Sequence, residues 1–192
     1  MPGSTYIKIA DYAFEQYGYI TQADAKKLGL APETLKKMAK RGTLERCDTG
    51  LYRIPSLNGT MFDAYMKATL WPIGVRGIIS HETALMLYNL SDINPRKVHI
   101  TVPKHYRIRR KIPEVYSIHN TDLAAEKITK FEGIPITTAE QAIRDCYKAH
   151  ASPVLMKQAI NDAFRTGYIT RKIKDDLHQE FNTVIIADEA KQ

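Results

Sequence analysis

The sequence predicts an α+β fold in two parts: an amino-terminal winged helix-turn-helix, then a mixed α/β unit with a small sheet and several helices. Three observations carry this. Thr21 to Arg41 reads as two short helices joined by about three residues, the spacing of a helix-turn-helix. Leu44 to Ile54 follows as two short segments about a turn, in the manner of a hairpin. Beyond residue 75, apolar residues switch repeatedly between a period of about 2 and one of about 3.6, which mixes strands with helices.

Ser4 or Thr5 is expected to cap a support helix through Gln16, with Ile9, Tyr12, Ala13 and Tyr17 inward. The next helix, Gln22 to Leu28, starts at a Thr21/Asp24 pair with capping-box spacing and stops at Gly29, where a tight turn wants positive φ. Pro32 pre-sets the φ of the first residue of a second helix through Arg41. Leu35, Met38 and Ala39 recur at i, i+3, i+4 and face inward, leaving Thr34, Lys36, Lys37, Lys40 and Arg41 toward solvent. Then Leu44–Cys47, the turn Asp48-Thr49-Gly50, and Leu51–Ile54 form a wing whose Arg46 and Arg53 are placed to reach a backbone phosphate. A Lys-rich helix face alone is commonly just a solvated face. The ordered set of capped helix, glycine turn, basic helix and basic hairpin makes DNA the leading partner.

Pro55 to Gly59 reads as a loop, and Thr60 starts a helix that ends by Trp71-Pro72. Pro72, Gly74 and Gly77 place the domain boundary there, giving units 1–75 and 76–192. In the second unit Ile78-Ile79 reads as a strand and Ser80 as the N-cap of a helix carrying Ala84, Leu85, Leu87 and Tyr88. Val98, Ile100 and Val102 alternate with His99 and Thr101 in a half-buried strand. Val115 to His119 is a further strand, and Ile128 to Thr137 a hairpin turning at Glu132-Gly133. Thr138 and Gln141 have capping-box spacing ahead of a helix with Ala142, Ile143, Cys146 and Tyr147 on one side. Ser152-Pro153 open the strongest helix, which Gly167 stops. A last helix runs from Thr170 to about Phe181, ahead of a frayed tail over 188–192.

The 28 Lys and Arg against 21 Asp and Glu give a net charge of +7. The excess is uneven: residues 1–75 contribute +3, residues 76–122 contribute +4, and the remainder none. A polyanion is the natural partner of the first two thirds. Lys104, Arg107, Arg109, Arg110 and Lys111 crowd one short segment after Pro103. Either they keep an exposed edge from aggregating or they face an anion, nucleic acid or an acidic partner protein. No apolar run approaches the roughly 20 residues of a membrane span and no signal-peptide layout opens the chain, so a cytoplasmic protein is expected. The cysteines, Cys47 and Cys146, fall in different units and are expected as free thiols.

Catalytic motifs are wanting. There is no phosphate-binding Gly-x-x-x-x-Gly-Lys-Ser/Thr loop, no dinucleotide-binding Gly-x-Gly-x-x-Gly and no His-Glu-x-x-His helix. The six histidines are scattered along the chain and no set has zinc-site spacing, so no metal or cofactor is expected. Ser80-His81-Glu82 are consecutive, so their side chains diverge, and capping accounts for them better than catalysis. The only Glu-x-Lys, Glu189-Ala190-Lys191, lies in the tail, away from any paired carboxylates a nuclease would need.

The segment Tyr19-Ile20-Thr21 through Ile54 is similar to the AbiEi family of bacterial antitoxins. So are the later blocks Ile79-Ser80-His81-Glu82-Thr83-Ala84-Leu85, Ser91-Asp92-Ile93-Asn94-Pro95, Val98-His99-Ile100-Thr101-Val102-Pro103 and Thr137 to Asp145. The resemblance implies an antitoxin of a type IV, abortive-infection operon active in phage defence. Its winged helix would repress its own promoter at inverted repeats in double-stranded DNA, and its carboxy-terminal unit would counteract an AbiEii-like nucleotidyltransferase toxin without a required stable complex. The DNA role carries to Thr34, Lys36, Lys37, Lys40, Arg41, Arg46 and Arg53, and an enzymatic role is not expected. Two other readings stay open: a nuclease with a winged-helix targeting domain, and a ligand-sensing winged-helix regulator.

Overall fold

The computed structural model describes residues 3–55 and 59–189, with side chains through Phe181. The loop expected at Pro55 to Gly59 and the tail at 188–192 therefore lie partly outside the described residues.

α1 (Ser4–Phe14) starts at Gly3, which gives no side-chain cap, so neither Ser4 nor Thr5 caps it as expected. The chain then forms β1 (Tyr19–Thr21), a strand whose three residues are too short to show a period. α2 (Gln22–Lys27) has the predicted capping box: Thr21 Oγ1 accepts from the Asp24 backbone N–H, and the Asp24 carboxylate accepts from the Thr21 N–H. Gly29 turns the chain at φ +71°. α3 (Thr34–Lys40) begins two residues after Pro32, which sits in the turn before the helix rather than at its first residue.

β2 (Glu45–Asp48) and β3 (Leu51–Arg53) form the expected hairpin, with a bulge between Arg46 and Asp48. β1 adds antiparallel on the far side of β3, making a three-stranded sheet in the order β1-β3-β2. Ile9, Ala13, Ile20, Ala25, Leu35, Leu44, Tyr52 and Ile54 bury together as its core. Met38 and Ala39 pack against them, half-buried.

α4 (Asp63–Leu70) packs on the second sheet rather than on the winged-helix core. Met66, Ala68 and Leu70 join the larger core, as do Tyr19 and Leu51 from the three-stranded sheet. That second sheet contains β4 (Ile78–Ile79), β5 (Val98–Val102), β6 (Tyr116–Asn120), β7 (Ile128–Phe131) and β8 (Ile134–Thr137). Their order is β6-β5-β4-β8-β7, with β5/β6 and β4/β8 parallel and the other pairs antiparallel. The β7–β8 hairpin turns at Glu132 and Gly133, both at positive φ, as two-residue hairpins require.

α5 (His81–Leu87), α6 (Ala139–Lys148), α7 (Pro153–Arg165) and α8 (Arg171–Glu189) complete the unit. β5 is covered on both faces, so the expected half-buried strand is buried more fully. Gly77 lies between β5 and the end of α4: a Cβ there would sit 2.6 Å from Ile100 Cγ2 and 3.3 Å from the Thr69 carbonyl. On the other face the start of α5 takes Thr101, which is 2 % exposed. Thr138 Oγ1 accepts from the Gln141 N–H, but the Gln141 side chain turns to Asp145 instead, so only half of that capping box forms. Cys47 is half-buried and Cys146 buried, both as free thiols.

Candidate nucleic-acid interface

α3 is the most exposed cationic element of the winged helix. At about 100° per residue, Lys36, Lys40, Lys37, Arg41 and Thr34 fall within an arc of about 160°, opposite the arc of Met38, Leu35 and Ala39. Burial follows that division: Leu35 is buried and the four cations are exposed. Lys36 pairs at 3.1 Å with Glu33, but both side chains are more than half exposed, which leaves the pair weak. Among the described residues, Lys37, Lys40 and Arg41 have no carboxylate within ion-pair distance. A groove of about 550 Å³ opens between α3 and the first turn of α1, with Thr34, Lys37 and Arg41 on one side and Thr5 and Tyr6 on the other.

A buried polar knot beneath α2 ties α2 to α1 and β1. Asp24, 2 % exposed, accepts from Thr21 Oγ1 at 2.6 Å, the Thr21 N–H at 3.0 Å, Tyr12 at 3.0 Å and Gln16 at 3.3 Å. Burial alone would raise its carboxyl; these donors outweigh burial and hold it below the ordinary carboxylate value. Gln16 also accepts from Arg76, tying the knot to the second unit.

The wing divides its two arginines. Arg46 is exposed, its Nε 3.4 Å from the Asp48 carbonyl. Arg53, expected at a backbone phosphate, instead turns inward: its guanidinium lies 2.5 Å from Asp63 of α4 and 5.3 Å from the centre of the Tyr19 ring. The opposite charge and the ring account for its position, and its side chain is only 20 % exposed.

The basic segment after Pro103 divides in the same way. Lys104, Arg107, Arg109 and Lys111 are exposed. Arg110 is not part of that surface. It donates to Asp48 at the wing turn at 2.8 Å and to the Trp71 carbonyl, and lies 4.2 Å above the Trp71 ring. Trp71 in turn meets Tyr116 edge to face. The wing turn is thus pinned to the second unit, and burial raises the Cys47 thiol beside it.

Sequence reasoning missed one cluster. His81, His99 and His119, far apart in the chain, come together in the second unit with a ring nitrogen from each within 4.8 Å of the others. The signal was present as alternation: His99 and Thr101 share one face of β5, and the parallel register sets Ser117 and His119 beside them. Ser80, expected to cap α5, makes no side-chain cap; its hydroxyl lies 2.9 Å from His81 Nδ1 and accepts from Thr101 at 2.7 Å.

A three-helix, three-strand unit with a cation-lined third helix followed by a β-hairpin has the architecture of a winged helix-turn-helix. Residues 8–55 match the family described as "Transcriptional regulator, AbiEi antitoxin". The match bears out the family resemblance and stops before the second unit. The crystal structure of the RV2827C protein from Mycobacterium tuberculosis is similar in fold, with a TM-score of 0.52 at 13 % identity, covering 92 % of this chain and 72 % of that one. No curated protein matches the chain. Among the described residues no helix is long and apolar enough to cross a membrane.

Proposed function

We propose that the chain is an antitoxin that represses its own operon, with α3 inserted in a major groove of promoter DNA. The single observation behind this reading is the arc of exposed cations on α3, in a segment that matches a family of antitoxin regulators. Lys36, Lys37, Lys40 and Arg41 meet the DNA, Thr34 lies at the groove side of the helix, and Arg46 holds a flanking phosphate. Inverted repeats would recruit two copies. The second unit would counteract a nucleotidyltransferase toxin encoded beside it, in the cytoplasm, as part of phage defence; the resemblance is what supports this half. No catalytic step is assigned to the chain.

The test is duplex binding over a series of salt concentrations. Replacing Lys36, Lys37, Lys40 and Arg41 with Ala should weaken promoter binding and flatten the slope of log affinity against log salt by about 0.9 for each phosphate no longer neutralised. An unchanged slope in that variant overturns the assignment. Co-expression with the nucleotidyltransferase of the neighbouring reading frame tests the other half: rescue by the wild type is expected, and its failure removes the antitoxin reading while leaving the DNA reading standing.

A further inference from the structure

β5 and the edge strand β6 share a polar face. His99, Thr101, Ser117 and His119 line it together, and His81 caps it from the start of α5. His99 Nδ1 lies 3.0 Å from His119 Nε2, and the His81 and His119 rings stack with centres 3.6 Å apart. The backbone of His81 is held at φ +53°, a left-handed conformation that a side chain with a Cβ rarely adopts. The fold therefore accepts local strain to aim this imidazole at the other two.

One far ring nitrogen is hydrogen-bonded and a second lies near a carboxylate, while His119 Nε2 is also 3.4 Å from Ser117 Oγ. His81 Nδ1 faces Ser80 Oγ at 2.9 Å, which is fixed by Thr101, and His99 Nε2 faces Glu82 at 3.9 Å. Such outer partners fix ring orientation and leave the opposite nitrogen for a cation. Here that leaves Nε2 of His81 and Nδ1 of His99, beside Nε2 of His119. A tetrahedral zinc ion with bonds of about 2.0–2.1 Å sets neighbouring ligand nitrogens about 3.3 Å apart. The His99–His119 pair already has nearly that separation, and the wider ones close by rotation of the His81 ring out of its stack. Burial, then the neighbouring imidazoles, push His81 down to about 3 and His119 down to about 4, and burial followed by Lys97 lowers His99.

We propose that His81, His99 and His119 form a binding site for one divalent transition metal of the zinc class, tying the start of α5 to the β5–β6 edge. An all-imidazole set suits zinc, nickel or cobalt and disfavours the hard cations magnesium and calcium. His81 and His119 border an open cleft of about 560 Å³ that Gln141, Asp145 and Lys148 also line, and a water or an external donor from it would complete the coordination. The site lies outside the residues that match the regulator family and is independent of the DNA reading.

The test uses the full chain without an affinity tag, treated with chelator and titrated with Co²⁺ and with Zn²⁺. Expected are one equivalent bound at micromolar metal or tighter, a visible cobalt absorption without a thiolate charge-transfer band, and a raised Tm with zinc. His99→Gln and His119→Gln should each abolish the cobalt absorption while leaving duplex DNA binding intact. A variant with His105, His150 and His178 all changed to Gln should keep it. Absence of stoichiometric binding by the wild type overturns the site, as does binding that survives His99→Gln and His119→Gln. Should those variants fail to fold, X-ray absorption of the zinc-loaded wild type decides: three imidazoles support the site, and fewer overturn it.

Discussion

α3 and the seam beneath the wing use the same side-chain chemistry to opposite ends. On α3 the cations stand on one exposed face, and among the described residues only Lys36 has an acidic partner, itself in solvent. At the seam, Arg53 and Arg110 each combine a carboxylate with an aromatic face, Asp63 with Tyr19 and Asp48 with Trp71. A cation with unpaired donors retains its long-range field for an approaching polyanion. One enclosed by a carboxylate and a ring has its charge neutralised locally and contributes to the joint between the two units. The local charge balance, more than the count of basic residues, separates a surface that meets DNA from one that holds the protein together.

The largest effect is expected at Arg110. Arg110→Ala removes a bond to Asp48, a bond to the Trp71 carbonyl and a cation–π interaction, and should cost about 2–4 kcal/mol. At roughly 2–4 °C per kcal/mol for a chain of this size, calorimetry would resolve the drop. The slope of DNA affinity against salt should not move. A flattened slope with unchanged Tm would place Arg110 among the DNA-binding residues and break the comparison.

Arg53 sharpens it. Arg53→Ala should cost about 1–3 kcal/mol, since it strands the half-buried Asp63 carboxylate. Asp63→Asn in the Arg53→Ala background should then cost less than it does alone. That coupling, read by a double-mutant cycle in thermal unfolding, is expected near zero if Arg53 in fact spends its charge on DNA.

How far these roles were legible depends on the range of the interactions. The helix starts at Thr21 and Thr138 and the turns at Gly29 and Glu132-Gly133 rest on neighbours within four residues, and the sequence displays them. The exposure of Lys37, Lys40 and Arg41 follows from helical periodicity and was equally readable. Arg53 and Arg110 were not, because their partners lie 10, 62 and 39 residues away and come close only through the packing of α4 and the wing turn. The three histidines escaped for a related reason. Their assembly depends on the parallel register of β5 with β6, a non-local pairing that no spacing rule for metal ligands captures.

Asp24 offers a smaller effect with a pH signature. Its folded carboxyl lies below the ordinary value, so its stabilising contribution is fully present above the unfolded value of about 3.9. That contribution is lost as pH falls through the lower folded value. Asp24→Asn should destabilise the winged helix by about 0.5–2 kcal/mol near neutrality and converge on the wild type in acid. Denaturant unfolding at several pH values measures this; a gap that widens in acid would mean the carboxylate is not what the Thr21, Tyr12 and Gln16 donors stabilise.

Lys36 carries the smallest stability effect and the cleanest contrast with Arg53. Its pair with Glu33 spans one helical turn in solvent, so Lys36→Ala should shift stability by no more than about 0.5 kcal/mol. The same change should flatten the salt dependence of DNA binding by about 0.9, the equivalent of one neutralised phosphate. Glu33→Ala should leave that slope alone and raise affinity slightly, by releasing Lys36 from its exposed partner. Were Lys36→Ala to lower Tm appreciably and leave the slope unchanged, the pair would belong to the fold, and the division between the two kinds of cation would not extend to the first turn of α3.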